Sequence, residues 1–121
     1  MEETEFVKEY KENKELLSVT VRSISLENRK VDIVFAEEFK NMYEISFDHQ
    51  DSNSDDWELA QWRNPVKAMR AIVNKIKEVA KEFPEEAEFL IVPMCTKRYS
   101  LYKRILSSRI IEDNGSWIYF K

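Results

Sequence analysis

The last third of the chain constrains the fold more than any other segment. Residues 89–92 are four consecutive apolar side chains, which indicates a strand that is covered on both faces. Thr96 can cap the helix that the following residues predict, and Asn114 with Gly115 forms the turn of a closing hairpin. A strand, a helix and two short strands are therefore expected, at 87–92, 97–106, 109–112 and 117–120.

Hydrophobic periodicity assigns the first part of the chain to a helix and three strands. Residues 3–17 are amphipathic and predict a helix. Alternation of apolar and polar side chains predicts three antiparallel strands, at 18–26, 31–36 and 43–47. The alternation changes phase at Arg22 and Ser23, so a β-bulge is expected there.

A further helix is predicted between the third and fourth strands. Asn64 followed by Pro65 is a typical helix start, because a capping side chain precedes a proline whose φ suits the first turn. Apolar residues then recur on one face, and Pro84 ends the helix after Phe83. A helix in this place makes a crossover connection, so the third and fourth strands are expected to be parallel neighbours.

Together these elements predict an α+β fold, with one mixed and mainly antiparallel sheet and about three helices packed on its faces. The 121 residues are expected to form a single domain, 1–121, that buries a core without disulfides. The single cysteine suits a reducing compartment, and the sequence shows neither a hydrophobic leader nor a run of about 18 apolar residues. We therefore expect a cytoplasmic protein that makes no membrane contact.

Charge is distributed unevenly along the chain, whose formal net charge is −4. Residues 94–121 contain six basic and two acidic side chains, whereas residues 44–58 contain six acidic side chains and no Lys or Arg. Nucleic acid is an unlikely partner for so acidic a chain, because phosphate contacts dominate that affinity. A local basic face can still bind an anion or an acidic patch of a protein.

The chain has few of the residues that common catalytic and metal sites require. Gly115 is the only glycine, which excludes the phosphate-binding loops of Walker and Rossmann proteins. His49 and Cys95 provide too few ligands for a zinc site. A nucleophile pair formed by these two residues is one alternative, and the other is the usual role of a lone cysteine as a small hydrophobic residue. Residues 51–62 match a calcium loop at three ligands but lack its glycine and its final glutamate. No metal is predicted.

About 35 residues at the C-terminus resemble the GNAT acyltransferase superfamily. In that family a strand leads into a helix that carries a small residue followed by Leu-Tyr, as residues 89–92 here precede the Ser-Leu-Tyr segment 100–102. The resemblance implies coenzyme A as cofactor and Tyr102 as a general acid near the thioester sulfur. The family's glycine-rich turn for pyrophosphate has no counterpart in residues 57–65, which contain no glycine. The resemblance thus implies a fold more than an activity.

The last two-thirds of the chain also resemble small phage-encoded proteins. Those proteins share a Tyr-x-x-x-Phe strand, a polar loop, a long helix, an apolar strand and a basic helix with Arg-x-x-Leu-Tyr. The matching segments here are 43–47, 48–56, 66–82, 89–92 and 98–102. Residues 62–65 depart from the pattern, which tends to have glycine at that place.

Two charged surfaces are the candidate binding sites. The first is the acidic loop, in which Trp57 is the interface candidate among charged neighbours: Asp51, Asp55, Asp56, Trp57 and Glu58. The second is the basic helix, extended at its end by Arg109: Lys97, Arg98, Lys103 and Arg104. The alternative for the basic helix is a solvated face opposite its buried side, which is the usual role of a charged helical face.

These patterns predict a non-enzymatic interaction protein, phage-encoded, that binds a host protein and inhibits a defence or regulatory factor. One alternative is a GNAT-type acyltransferase or acyl-CoA binder, in which Tyr102 is the general acid. Its phosphate ligands would be Lys97, Arg98 and Lys103. Another alternative is a nucleotide- or RNA-binding module that uses Tyr99 and the basic segment 97–109. Coenzyme A is expected as a cofactor only under the first alternative.

Overall fold

The computed structural model describes residues 16–49, 62–93 and 96–121, and the fold is given for these residues. The strands are β1 (Ser18–Leu26), β2 (Arg29–Phe39), β3 (Met42–His49), β4 (Glu88–Ile91), β5 (Ile110–Asp113) and β6 (Ile118–Phe120). The helices are α1 (Pro65–Ala80) and α2 (Thr96–Leu106), and a 3₁₀ turn follows at Ser107–Arg109. An α+β fold is thereby confirmed. Residues 3–15 of the predicted helix 3–17 lie outside the described residues, and Leu16 and Leu17 are not helical.

The six strands form one mixed sheet in the order β1-β2-β3-β4-β6-β5. β3 and β4 are parallel, and the other neighbouring strands are antiparallel. α1 connects β3 to β4, so the expected crossover and its parallel pair are confirmed. Two α-helices accompany this sheet in the described ranges, against the predicted total of about three. Neither of them is long and apolar enough to cross a membrane.

The β1–β2 hairpin is closed by a two-residue turn at Glu27 and Asn28. Both residues have positive φ, 48° and 63°, which suits the type I′ turn that matches the twist of paired strands. The bulge predicted at Arg22 and Ser23 is wrong, because β1 pairs with β2 without a register shift. Val19 and Val21 lie on the opposite face of the sheet from Ile24 and Leu26, which pack against the core, and this explains the change of phase in the sequence. Arg22, on the same face as Ile24, donates to Glu82 at 3.1 Å.

α1 begins on the signal that the sequence predicts. The Asn64 side chain accepts a hydrogen bond from the Lys67 backbone N–H at 3.1 Å, and Pro65 occupies the first turn. The helix ends at Ala80 rather than Phe83, and residues 81–83 form turns before Pro84. The backbone N–H groups of residues 81–83 donate hydrogen bonds to the carbonyls three residues earlier, which tightens this end of the helix.

One hydrophobic core lies between the sheet and the two helices. The predicted apolar face of α1 is buried in it, through Met69, Ile72, Val73, Ile76 and Val79. Aromatic rings fill the centre, with centroids no more than 6.0 Å from a neighbouring ring: Phe35, Tyr43, Phe83, Phe89 and Phe120. α2 adds Tyr102 and Leu106. These two side chains fix how α2 is rotated, and so decide which of its basic residues meet α1.

Candidate functional site

A cleft lies between the first turns of α1 and one side of α2. Its volume is about 370 Å³. The described residues that line it are Val66 and Met69 from α1 and Thr96, Lys97, Arg98, Ser100, Leu101 and Arg104 from α2. Positions 97, 101 and 104 recur every three or four residues and therefore share one side of the helix. We call this site the basic cleft, because three of these eight residues are cationic and none is acidic.

Arg98 is the most unusual residue of the basic cleft. Only 7% of its surface is exposed, and its Nε atom is buried without a hydrogen-bond partner among the described residues. A buried charge costs on the order of several kcal/mol unless an acceptor or an opposite charge compensates it. The basic cleft therefore carries positive charge that an entering anion would match.

The beginning of α2 adds to this positive potential. Its first turn, which includes Thr96, Lys97 and Arg98, contains no acidic residue. The first N–H groups of a helix have no partner within the helix and form the positive end of its dipole. A negative group in the basic cleft would therefore meet hydroxyl, ammonium and guanidinium groups together with the dipole of α2.

The beginning of α1 is closed by the protein's own side chains. Glu27, in the β1–β2 turn, accepts hydrogen bonds from the Arg63 N–H at 2.6 Å and the Asn64 N–H at 3.1 Å. The bond from Arg63 is the main cause that holds the pKa of Glu27 below its ordinary value, against the opposing effect of desolvation. A second cavity of about 360 Å³ lies here, and Glu27 is part of its wall. The anion of this second cavity is thus supplied from within the chain.

The remaining basic residues of the 97–109 segment hold the β5–β6 hairpin. The Tyr99 hydroxyl donates to Asp113 and accepts a hydrogen bond from the Gly115 N–H at 3.0 Å. Lys103 forms an ion pair with Asp113, with 3.5 Å between Nζ and Oδ1. These contacts, the Tyr99 bond first among them, lower the pKa of Asp113. Arg109 donates to the carbonyl of the last residue at 3.5 Å.

The structure therefore divides the predicted basic surface. Lys97, Arg98 and Arg104 come together in the basic cleft, whereas Lys103 is turned toward the hairpin. Arg98 is buried because it precedes Tyr102 by four residues and so shares the inward stripe of the helix, a spacing that the sequence contains. The α1 side of the cleft could not be found from the α2 sequence, because helix packing brings it there.

Tyr102 lies in the core, behind the wall of the basic cleft. It is 1% exposed, and its hydroxyl donates to the Met69 Sδ atom at 3.6 Å. Met69 lines the cleft, and Tyr102 is not among the described residues that line it. A general acid must reach its substrate within hydrogen-bond distance. In this arrangement the Met69 side chain separates the Tyr102 hydroxyl from the cleft.

The acidic loop predicted as the second binding surface lies outside the described residues, with all of its candidates: Asp51, Asp55, Asp56, Trp57 and Glu58. Cys95 and the His49 side chain lie outside them as well. Over the ranges that the structure describes, no three His, Cys, Asp or Glu residues are placed to hold a metal ion. The basic cleft is therefore the site on which a function can be argued.

Comparison with known proteins supplies no relative for this chain. No family model, no curated protein and no solved structure matches it.

Proposed function

We propose that the protein is a non-enzymatic binding module that holds an acidic segment of a partner protein in the basic cleft. The observation that carries the proposal is Arg98, a buried charge whose Nε has no partner among the described residues at the wall of this cleft. A carboxylate of the partner would accept hydrogen bonds from the Arg98 guanidinium, and Lys97 and Arg104 would lie beside that carboxylate. Charge-assisted hydrogen bonds of this kind are among the strong ones in proteins.

The shape of the basic cleft favours a segment of protein over a small inorganic anion. Its wall includes apolar surface from Val66, Met69 and Leu101, and Val66 is 55% exposed. A cleft of about 370 Å³ has room for an apolar side chain next to a carboxylate. Protein interfaces often concentrate their binding energy on an arginine that is surrounded by apolar contacts, which is the arrangement found here.

The residues around the basic cleft support binding better than catalysis. Its described lining contains no histidine, cysteine or carboxylate to act as a general base or an activated nucleophile. The hydroxyls of Thr96 and Ser100 would need such a base to attack a substrate. The acyltransferase alternative requires Tyr102 as an acid, but the Tyr102 hydroxyl donates its hydrogen bond to the Met69 Sδ atom.

Fluorescence anisotropy tests the proposal with a labelled ten-residue peptide that alternates glutamate and leucine. We expect a Kd in the micromolar range, and a Kd about tenfold higher for Lys97→Glu and for Arg104→Glu, which corresponds to about 1.4 kcal/mol each. Lys81→Glu is the matched control, because it makes the same change of charge at the opposite end of α1. Equal weakening by all three substitutions, or equal binding of the peptide with glutamine for glutamate, would contradict a specific acidic site.

A second candidate function is binding of acyl-CoA by a GNAT-like fold. The order of elements from β3 onward supports it, because α1 joins the parallel strands β3 and β4, and α2 then leads to a hairpin beside β4. Lys97 and Arg98 line the basic cleft as this candidate requires, whereas Lys103 is paired with Asp113. This candidate would replace the leading proposal under two conditions. Coenzyme A would have to bind saturably and lose that binding in Lys97→Glu, and the acidic peptide would have to show no binding.

A further inference from the structure

We infer that the group bound best in the basic cleft is a phosphate monoester on a side chain of the partner, with phosphotyrosine as the fitting case; this rests on the proposed function. Charge is the first reason. Lys97, Arg98 and Arg104 line the cleft with no acid among its described residues. A carboxylate brings one negative charge, whereas a phosphate monoester brings about 1.5 to 2 at pH 7 and matches this cationic lining more closely.

The number of hydrogen-bond donors is the second reason. Besides its three cations, the basic cleft presents the hydroxyls of Thr96 and Ser100 and lies at the start of α2, an eleven-residue helix with no acid in its first turn. A carboxylate has two oxygens to receive these donors, and a phosphate monoester has three strong acceptor oxygens. Arg98, with its buried and unpartnered Nε, adds the planar fork that suits phosphate.

The size of the basic cleft is the third reason. A volume of about 370 Å³ corresponds to roughly twelve water molecules at about 30 Å³ each, which is far more than one phosphoryl group fills. The rest of the cleft is bounded by apolar atoms of Val66, Met69 and Leu101. An aromatic ring that carries the phosphate would lie against this apolar wall while its phosphoryl group meets the cations. Phosphotyrosine combines the two parts in one side chain.

The experiment compares three versions of one labelled ten-residue acidic peptide, with tyrosine, glutamate or phosphotyrosine at its centre, on the full chain. We expect the phosphotyrosine peptide to bind about tenfold more tightly than the glutamate peptide, since it adds charge-assisted bonds. Between pH 5 and 7.5 its affinity should increase, because a phosphate monoester gains its second charge near pH 6. The affinity of the glutamate peptide should stay constant over that range, in which carboxylates are already ionised.

Two substitutions separate the roles of charge and geometry. Arg98→Lys keeps a positive charge but loses the planar fork, so the preference for phosphotyrosine over glutamate should disappear while the glutamate peptide still binds. Ser100→Ala, at an exposed position, should raise the Kd of the phosphotyrosine peptide about threefold without changing the Kd of the glutamate peptide. Lys81→Glu, outside the basic cleft, should change none of these affinities by more than about twofold.

Each outcome has one meaning for the two levels of the proposal. Equal affinity for the phosphotyrosine and glutamate peptides would overturn the phosphate inference and leave the proposed function standing. Absence of binding by all three peptides would overturn the proposed function with it. Phenyl phosphate is then tested as a competitor of the labelled peptide. If it competes as strongly as the unlabelled phosphotyrosine peptide, the site recognises a small phosphate ester, and the assignment to a protein partner is overturned.

Discussion

The first turns of α1 and α2 are chemically opposite, although each lies beside a cavity of nearly the same volume, about 360 Å³ and 370 Å³. At α1, the Asn64 side chain and the Glu27 carboxylate accept hydrogen bonds from backbone N–H groups at the helix start. At α2, the side chains in the first turn include two cations, and Arg98 has a buried Nε without a partner among the described residues. Folding itself satisfies the start of α1, whereas under the proposed function a ligand satisfies Arg98 at the start of α2.

The volume of a cavity therefore does not distinguish the two helix starts, whereas the buried Nε of Arg98 without a partner among the described residues does. Nearly all buried polar groups in folded proteins have a partner, so an exception requires a specific explanation. At Glu27 the partners are the chain's own backbone N–H groups. At Arg98 the explanation that we propose is a partner from another molecule. Stability and binding should therefore respond to substitutions at different helix starts.

The largest expected effect is on binding at α2. The double variant Lys97→Glu with Arg104→Glu should raise the Kd of the acidic peptide about a hundredfold, near 2.8 kcal/mol, if the two effects add. An acid in the first turn of a helix favours its dipole and an acid in the last turn opposes it, so the stability should change by less than about 0.5 kcal/mol. Anisotropy and urea unfolding of the same samples measure both quantities.

The matched control for this variant is Lys67→Glu, in the first turn of α1. Lys67 lines the cavity next to α1, as Lys97 lines the basic cleft. Its substitution should change the Kd by less than about twofold, because Lys67 lines the other cavity and exposed charges that make no direct contact contribute little. A loss of affinity at Lys67 as large as at Lys97 would mean that the peptide responds to overall charge, and the contrast between the two helix starts would fail.

The next effect joins binding to stability at Arg98. Arg98→Met removes the buried charge and keeps an apolar chain, so the affinity for the acidic peptide should fall about tenfold. The free energy of unfolding should rise by about 1 kcal/mol, because a buried Nε–H group without a hydrogen-bond partner is costly to fold around. Urea unfolding at pH 7 measures this gain. A less stable Arg98→Met protein would show that Arg98 supports the fold, and the main argument for the basic cleft would be lost.

The third effect belongs to α1 alone. Asn64→Ala removes the side chain that accepts from the Lys67 N–H, and should lower the free energy of unfolding by about 1 kcal/mol. Asn64→Gly should restore most of this loss, because glycine is nearly as good at the capping position. The Kd of the acidic peptide should stay within about twofold of wild type in both variants. A clear change in affinity would show that the two helix starts are coupled.

Most of the fold could be predicted because its signals are local. The Asn64–Pro65 helix start and the hairpin turn at Asn114 and Gly115 are each encoded in a few neighbouring residues, and the parallel pairing of β3 and β4 follows from the helix between them. The bulge prediction failed because β1 has apolar side chains on both faces: Val19 and Val21 on one, Ile24 and Leu26 on the other, against the core. A pattern read along β1 cannot show which of its apolar side chains belongs to which face of the sheet.

The candidate site could be predicted only in part. The sequence identifies the basic residues of α2, but Arg104 lines the cleft while its neighbour Lys103 pairs with Asp113 of the hairpin. That division depends on the rotation of α2, which is set by the burial of Tyr102 in a core formed by segments distant in sequence. The burial of Arg98 could have been inferred from its spacing to Tyr102, whereas the contribution of α1 could not.

The smallest expected effect is the pH dependence that Glu27 gives to α1. The hydrogen bond from the Arg63 backbone is the main cause that lowers the pKa of Glu27 from its ordinary 4.5. A lowered pKa means that the folded state favours the ionised form, so this stability is present above about pH 4.5 and is lost as the pH falls through the folded pKa. Wild type should therefore be more stable than Glu27→Gln at pH 7, and the difference should shrink toward pH 3.

Glu44 contributes a pH dependence of the opposite sign, which the experiment must remove. Burial, and then the neighbouring Glu38 carboxyl, raise the pKa of Glu44 to about 7. The folded state thus favours its protonated form, and this stability is lost as the pH rises toward 7. Both proteins share Glu44, so the difference between their urea midpoints at each pH isolates Glu27. A difference that stays constant from pH 3 to 8 would assign the effect to the shape of the side chain, and the carboxylate would no longer distinguish α1 from α2.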